Sequence, residues 1–184
     1  MRSPLPKKQI EWSEYFLQRP DKIAVIERVL YFDPTELYER LGDKLITSKR
    51  HAGISMDLLF PKIPGKCACG CDKKPEMYAN DTNNRKFASH NCQAFASDVL
   101  SIINNYFGKP AFYISIYSGK KCSECDETDH LELDHIIGVK HGGGGCWLSN
   151  YRWLCKKCHV NKTNKDFKRK EFKVEAETNQ QKLF

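Results

Sequence analysis

The sequence predicts an α+β fold: a helical first third, a middle module gathered around a cysteine cluster, and a C-terminal core in which strand-forming runs precede a last helix. Three observations carry this. Residues 1–66 contain no cysteine and show helical spacing of apolar residues, whereas all nine cysteines fall between positions 67 and 158. The runs 112–117 and 131–137 are rich in aromatic and β-branched residues, the composition of half-buried strands. The stretch after Cys155 returns to a helical, basic pattern.

Composition narrows the class. Lys and Arg number 30 against 23 Asp and Glu, a net charge of +7, which excludes an acidic solvating chain. The hydrophobic fraction of 40% is enough for a packed core. No run approaches the roughly 18 apolar residues of a membrane helix, so a soluble protein without a membrane partner is expected. The segment Met1 to Glu14 lacks a secretory signal, which points to a reducing, cytoplasmic setting. Disulfides are rarely stable there, so metal thiolates are the leading account of the cysteines.

Taken in order, Ile23, Val25, Ile26, Val29 and Leu30 predict a first helix over 22–30. Asp33, Pro34 and Glu36 read as N-cap, first-turn proline and capping-box acid of a second, which Gly42 closes. A basic stretch from Lys44 to Arg50 leads to an apolar one from Ile54 to Phe60. Pro61 to Gly65 then breaks regular structure and marks a boundary. The cluster Cys67, Cys69, Cys71, His90 and Cys92 offers five ligands for the four positions of a tetrahedral zinc ion, with His90 and Cys92 competing for the last. Phe95, Val99, Ile102 and Tyr106 share one face of a helix expected over 89–107. Cys122, Cys125, Cys155 and Cys158 form two C-x-x-C knuckles suited to a structural zinc. The glycines at 142–145 predict a loop, and Cys146 has no partner by spacing and reads as a small buried residue. A final helix should run from about Cys155 to Lys170, with both cysteine clusters placing ligands at the start of a helix. The expected divisions are 1–64, helical; 65–110, the accessory zinc module with its helix; 111–170, the core built around the second set of cysteines; and 171–184, a polar tail.

Polar residues unrelated to closing a zinc site recur around the second set of cysteines. Cys122-Ser-Glu-Cys125, Leu133-Asp134-His135-Ile136, the Gly142–Gly145 run leading to Asn150, and Cys155-Lys-Lys-Cys158-His159 with Lys162 together resemble the HNH endonuclease family. The resemblance covers about forty residues and implies a ββα-metal core, a hairpin and a helix holding one catalytic ion, Mg²⁺ or Mn²⁺. It implies Asp134 and His159 as ligands of that ion, His135 as general base, and Asn150 as the residue that fixes the hairpin and orients His135. Lys162, one helical turn after His159, is expected to contact the scissile phosphate. Adjacent strand residues point to opposite faces, so Asp134 and His135 serve one site only if the strand ends or bulges there.

The chemistry agrees with such a set. Phosphodiester hydrolysis needs an activated water, stabilised phosphoryl oxygens and a leaving oxygen, and one carboxylate, two histidines and a divalent ion are sufficient parts. The expected function is a DNA endonuclease of restriction or phage type acting on double-stranded DNA. Because one site cuts one strand, a double-strand cut implies a homodimer. Two rivals stand beside this, a non-catalytic zinc-stabilised nucleic-acid-binding protein and an RNA-directed nuclease. His51, His130 and His141 read as surface or structural residues, Trp147 and Trp153 as packing of the hairpin onto the helix, and the basic cluster from Lys165 to Lys170 as a solvated helix face.

Overall fold

The structure, a computed structural model, describes residues 12–42, 54–75, 86–104 and 108–167. The basic stretch from Lys44, His51, Tyr106, the end of the last helix and the C-terminal tail lie outside the described residues. The described chain forms helices α1 (Glu14–Leu17), α2 (Pro20–Leu30), α3 (Thr35–Leu41), α4 (Met56–Leu59), α5 (His90–Ile103) and α6 (Lys109–Ser118). Strand β1 (Leu131–His135), two 3-10 turns (Val139–His141 and Leu148–Asn150), strand β2 (Tyr151–Cys155) and helix α7 (156–167) complete it. No described helix is long and apolar enough to cross a membrane.

Internal contacts divide the chain into two compact units. The first comprises Met1–Gly119 with His135–Tyr151, and the second Lys120–Asp134 with Arg152–Phe184. Within the first unit α2 packs along α5, burying Ile26, Val29 and Leu30 with Phe95, Ala96, Val99 and Ile102. Removing these side chains from water is the main force closing the unit. Arg28 ties α2 to the cysteine module, with its guanidinium donating to the Cys69 carbonyl at 2.8 Å and stacking 3.9 Å from the Phe95 ring. Helix α3 starts one residue later than expected, at Thr35, because the Asp33 carboxylate accepts the Thr35 N–H at 2.9 Å and Pro34 takes the cap position.

Two elements differ from the sequence reading. The run 112–117 lies in helix α6 instead of a strand. Gly108 precedes it in the left-handed conformation, Pro110 occupies the first turn, and Tyr113 and Ile114 are buried as neighbours. Tyr113 donates its hydroxyl to Asp98 of α5 at 2.7 Å. Strand propensity reflects packing on a pleated surface, and here the packing partner is a helix. The strand that pairs with β1 is Tyr151–Cys155, in a stretch given no strand by the sequence pattern.

The loop between the strands is held in the first unit. Asn150, 2% exposed, accepts from the Ile137 N–H at 2.9 Å and donates to the Ile137 carbonyl at 3.0 Å. The Ile136 N–H reaches the Asn150 carbonyl at 2.7 Å. Gly143 passes so close that a Cβ there would sit 1.6 Å from the Ile137 oxygen, so only glycine closes this turn. Trp147, fully buried, meets Phe32 edge-on at 5.4 Å between centroids, and Tyr38 donates to the Gly145 carbonyl at 3.2 Å. The tryptophan thus packs against the N-terminal helical region, where the sequence reading placed it against the last helix. Cys146 is fully buried beside it in the chain.

Candidate functional site

In the second unit the knuckles of Cys122, Cys125, Cys155 and Cys158 bring four sulfurs within 4.8 Å of one another. The turn after Cys122 is closed by its N–H to the Glu127 carbonyl at 2.7 Å and by the Ser123 N–H to the Trp153 carbonyl at 2.9 Å. Cys155 ends β2 and Cys158 lies in the first turn of α7. Sγ–Sγ separations of 3.7 Å, Cys125 to Cys155 and Cys125 to Cys158, match the edge of roughly 3.8 Å that zinc–sulfur bonds of about 2.3 Å impose on a tetrahedron. All four cysteines are free of disulfides. Burial opposes charge on Cys122, but backbone N–H groups of Cys155, Glu124 and Cys125 outweigh it and bring the thiol down to about 6. Desolvation and the neighbouring thiols push Cys158 up to about 12. The Cys122 thiolate forms readily, whereas Cys158 resists until a cation compensates it, as expected of a metal site.

In the first unit the sulfurs of Cys67, Cys69, Cys71 and Cys92 converge in the same way. Cys67 and Cys69 lie 3.0 Å apart, and Cys71 and Cys92 3.6 Å apart. Ser89 caps α5: its Oγ accepts the Cys92 N–H at 3.2 Å and donates to the Cys92 sulfur at 3.2 Å. This cap turns Cys92 inward and leaves His90, in the same turn, exposed and outside the sulfur cluster. Burial again opposes ionisation of Cys92, but Ser89 and the Cys69, Cys71 and Cys67 thiols draw it down to about 6, while burial and neighbouring thiols raise Cys69 to about 12. Each tetrad is a donor set that could hold zinc.

A third constellation lies in the second unit, on β1 and α7. Residues two apart on a strand share a face, so Glu132 and Asp134 project together from β1. Both meet His159: Nδ1 contacts Glu132 Oε2, and Nε2 lies 3.6 Å from Asp134 Oδ1. Lys162, three residues on, places its ammonium 3.1 Å from Asp134 Oδ2 and 3.0 Å from Asp166 Oδ2. Arg152 of β2 pairs with Glu124 at 2.5 Å and holds its Nε 3.9 Å from Asp134 Oδ2. The Asp134 side chain is 11% exposed, yet its Oδ2 receives no aligned hydrogen bond from any described residue. Lys162 and Arg152 compensate the charge on Oδ2, whereas Asp134 Oδ1 and His159 Nε2, 3.6 Å apart, are a carboxylate–imidazole pair that could hold a divalent cation. Glu132 and Arg152 escaped the sequence reading. Alternation of Glu132 with Asp134 along Leu131–His135 was the available signal for the first; nothing local marked Arg152.

His135 and Asn150 belong to the first unit. The His135 ring lies 4.6 Å from that of Tyr151, centroid to centroid, and is half-buried. Asn150 acts on the backbone of Ile137, two residues after His135, through its paired hydrogen bonds to that residue's N–H and carbonyl. His130, whose backbone φ is +49°, and His141 are exposed.

Residues 122–165 match the family model described as HNH endonuclease. No curated protein and no solved structure matches the chain. The C-terminal segment is thus an HNH domain, a nuclease-family module, with one four-cysteine group inside it and another ahead of it.

Proposed function

We propose that this chain is a divalent-metal-dependent endonuclease that hydrolyses phosphodiester bonds in double-stranded DNA, in a restriction or phage-type role, and that its two tetrads are structural zinc sites. The observation that carries the reading is the coincidence of the HNH match with Asp134, His159 and Lys162 meeting around a buried carboxylate oxygen. Asp134 and His159 are assigned to hold the catalytic ion, Mg²⁺ or Mn²⁺. Their 3.6 Å separation is within what one ion spans with bonds of about 2.1 Å to each donor. When bound, such an ion stabilises negative charge on the phosphoryl and leaving oxygens.

The chain's own groups are assigned the rest. His135, as a neutral imidazole, takes a proton from the attacking water while the new P–O bond forms and the bond to the leaving oxygen breaks. Asn150 positions the backbone that comes after His135. Glu132, against Nδ1 of His159, selects the tautomer that leaves Nε2 bare on the side of Asp134. Lys162 neutralises Asp134 and is assigned to bind a non-bridging oxygen of the scissile phosphate. Double-strand breaks would require two copies of the chain.

Supercoiled-plasmid cleavage by wild type and His135→Ala, each with zinc content measured, tests the reading in Mg²⁺, in Mn²⁺ and without either. Metal-dependent cutting that a zinc-replete His135→Ala lacks is the expected result. Intact plasmid with zinc-replete wild type in both metals overturns it, and cleavage of structured RNA under the same conditions would transfer the chemistry to RNA.

A further inference from the structure

An open cleft of about 460 Å³ lies within the first unit, walled by α1, the start of α2, the start of α5 and the start of α6. Its volume is in the range of small-ligand sites. Its floor is chemically settled: Asp98 accepts the Tyr113 hydroxyl at 2.7 Å and pairs with Lys109 at 2.7 Å, so these groups are satisfied by one another. The rim is different. Among the described residues, the side chains of Arg19, Lys22, His90 and Asn91 have neither a hydrogen bond nor an ion pair, although all four line the cleft. Asp21 is the acidic neighbour at that rim.

Aromatic groups form the remaining wall. Tyr15 is 59% exposed and stands edge-on to Phe16 at 5.3 Å; Phe16 in turn meets Phe112 at 6.1 Å. Tyr15 thus presents an open ring on the same cleft as a guanidinium, an ammonium and two hydrogen-bonding side chains that have no partner among the described residues. A flat π face, two cations and a donor–acceptor pair are complementary to one chemical unit, an aromatic base carrying a phosphate.

We propose that this cleft binds a nucleotide unit of an unstacked DNA strand, with Tyr15 stacking on the base, Arg19 and Lys22 on the flanking phosphate, and His90 and Asn91 reading the base edge. A duplex buries both faces of each base and offers none to Tyr15, so the site favours single-stranded or locally opened DNA. His90, offered by the sequence as a zinc ligand, acquires a different role from its place two residues before Cys92. The first-unit tetrad, through Cys92 and its Ser89 cap, sets the start of α5 from which His90 and Asn91 reach the cleft. This site is distinct from the HNH constellation and stands whether or not that constellation cuts DNA.

The test is fluorescence anisotropy of a labelled oligothymidylate with the zinc-loaded full chain and no added Mg²⁺ or Mn²⁺. Tyr15→Ala should weaken single-strand binding at least about five-fold, with Tyr15→Phe retaining it. Arg19→Ala with Lys22→Ala should lower the slope of log affinity against log salt by up to about 0.7 per charge removed. Tyr15 and Arg19 are exposed and Lys22 half-buried, and unchanged circular dichroism and zinc content would show the fold intact. Unchanged affinity and salt slope in these variants overturn the proposal, as does a loss confined to duplex DNA. Binding of thymidine 5′-monophosphate without binding of the oligonucleotide would assign the cleft to a free nucleotide and overturn its role on a DNA strand. Zinc-replete His135→Ala separates the two readings: it should keep this binding while losing cleavage. Binding without cleavage in wild type overturns the nuclease reading alone.

Discussion

In the tetrad of Cys67, Cys69, Cys71 and Cys92, three sulfurs belong to buried residues and the helix that supplies Cys92 faces the core along Phe95, Ala96, Val99 and Ile102. Arg28 and Ser89 clamp it from either side. In the tetrad of Cys122, Cys125, Cys155 and Cys158, by contrast, Cys125 is exposed, and the helix that begins beside Cys158 presents His159, Lys162 and Asp166 on a polar face. Both place a ligand in the first turn of a helix. One helix closes a core and the other presents polar side chains, so the same four-cysteine arrangement serves packing in one unit and, in the proposed function, chemistry in the other. The difference lies in the residues after the last cysteine: apolar side chains at core spacing after Cys92, and His159 and Lys162 after Cys158.

Serine substitution of the final ligand tests this contrast most severely. Cys158→Ser is expected to lose one zinc of about two and to reduce plasmid cleavage by two orders of magnitude or more, because α7 no longer holds His159. Cys92→Ser should also lose one zinc, but its first readout is loss of cooperative thermal unfolding in the first unit. Equal effects of both variants on melting and cleavage would erase the distinction.

A smaller effect is expected from Glu132→Gln. This removes the charge proposed to set the His159 tautomer while leaving zinc in place, and should weaken activation by Mg²⁺ or Mn²⁺ by about 10- to 100-fold, with partial recovery at high metal concentration. A metal titration of cleavage rate checks it; an unchanged curve would reduce the Glu132 contact to a surface pair.

Asn150→Ala leaves the Ile137 N–H and carbonyl without their side-chain partners and should cost about 1–3 kcal/mol, read as a lower melting temperature at constant zinc content. The smallest effect concerns protons. Burial notwithstanding, hydrogen bonds bring Cys92 and Cys122 down to about 6 in the folded chain against an ordinary value of 9.0, so in metal-free protein these two thiolates should appear as pH rises through about 6. Because these values are depressed on folding, the stabilisation is complete above about 9 and is lost as pH falls through about 6. Ultraviolet thiolate absorbance and melting tracked together across that window would show it; thiolates forming only near 9 would remove this source of stabilisation.

Much of the helical frame was legible from local pattern. Helices α2 and α5 obey the spacing of their apolar residues, and the knuckles of the second tetrad are defined by C-x-x-C turns that form wherever a metal is available. The first tetrad was legible only as five candidates. Which four converge depends on the direction Ser89 gives the first turn of α5, a matter of one capping hydrogen bond. The run 112–117 was misread because aromatic and β-branched residues suit a strand and a buried helix face alike, and the choice fell to contact with α5. Strand β2 was missed because Trp147 to Leu154 sits between a glycine loop and a cysteine knuckle with no alternation long enough to announce it.

By itself, then, the sequence determined the local chemistry: which residues are candidates to bind metal, where chains must turn, and that Asp134, His135, Asn150, His159 and Lys162 stand in an HNH-like order. Such features depend on neighbours within a few positions. Tertiary structure alone decided that Glu132 backs His159, that Arg152 reaches Asp134, that Phe32 receives Trp147, and that α1, α2, α5 and α6 leave a basic, aromatic cleft between them. These contacts join residues from roughly 20 to 115 positions apart, or form a surface that no single segment contains. They are selected by packing of the whole chain, which no local spacing encodes.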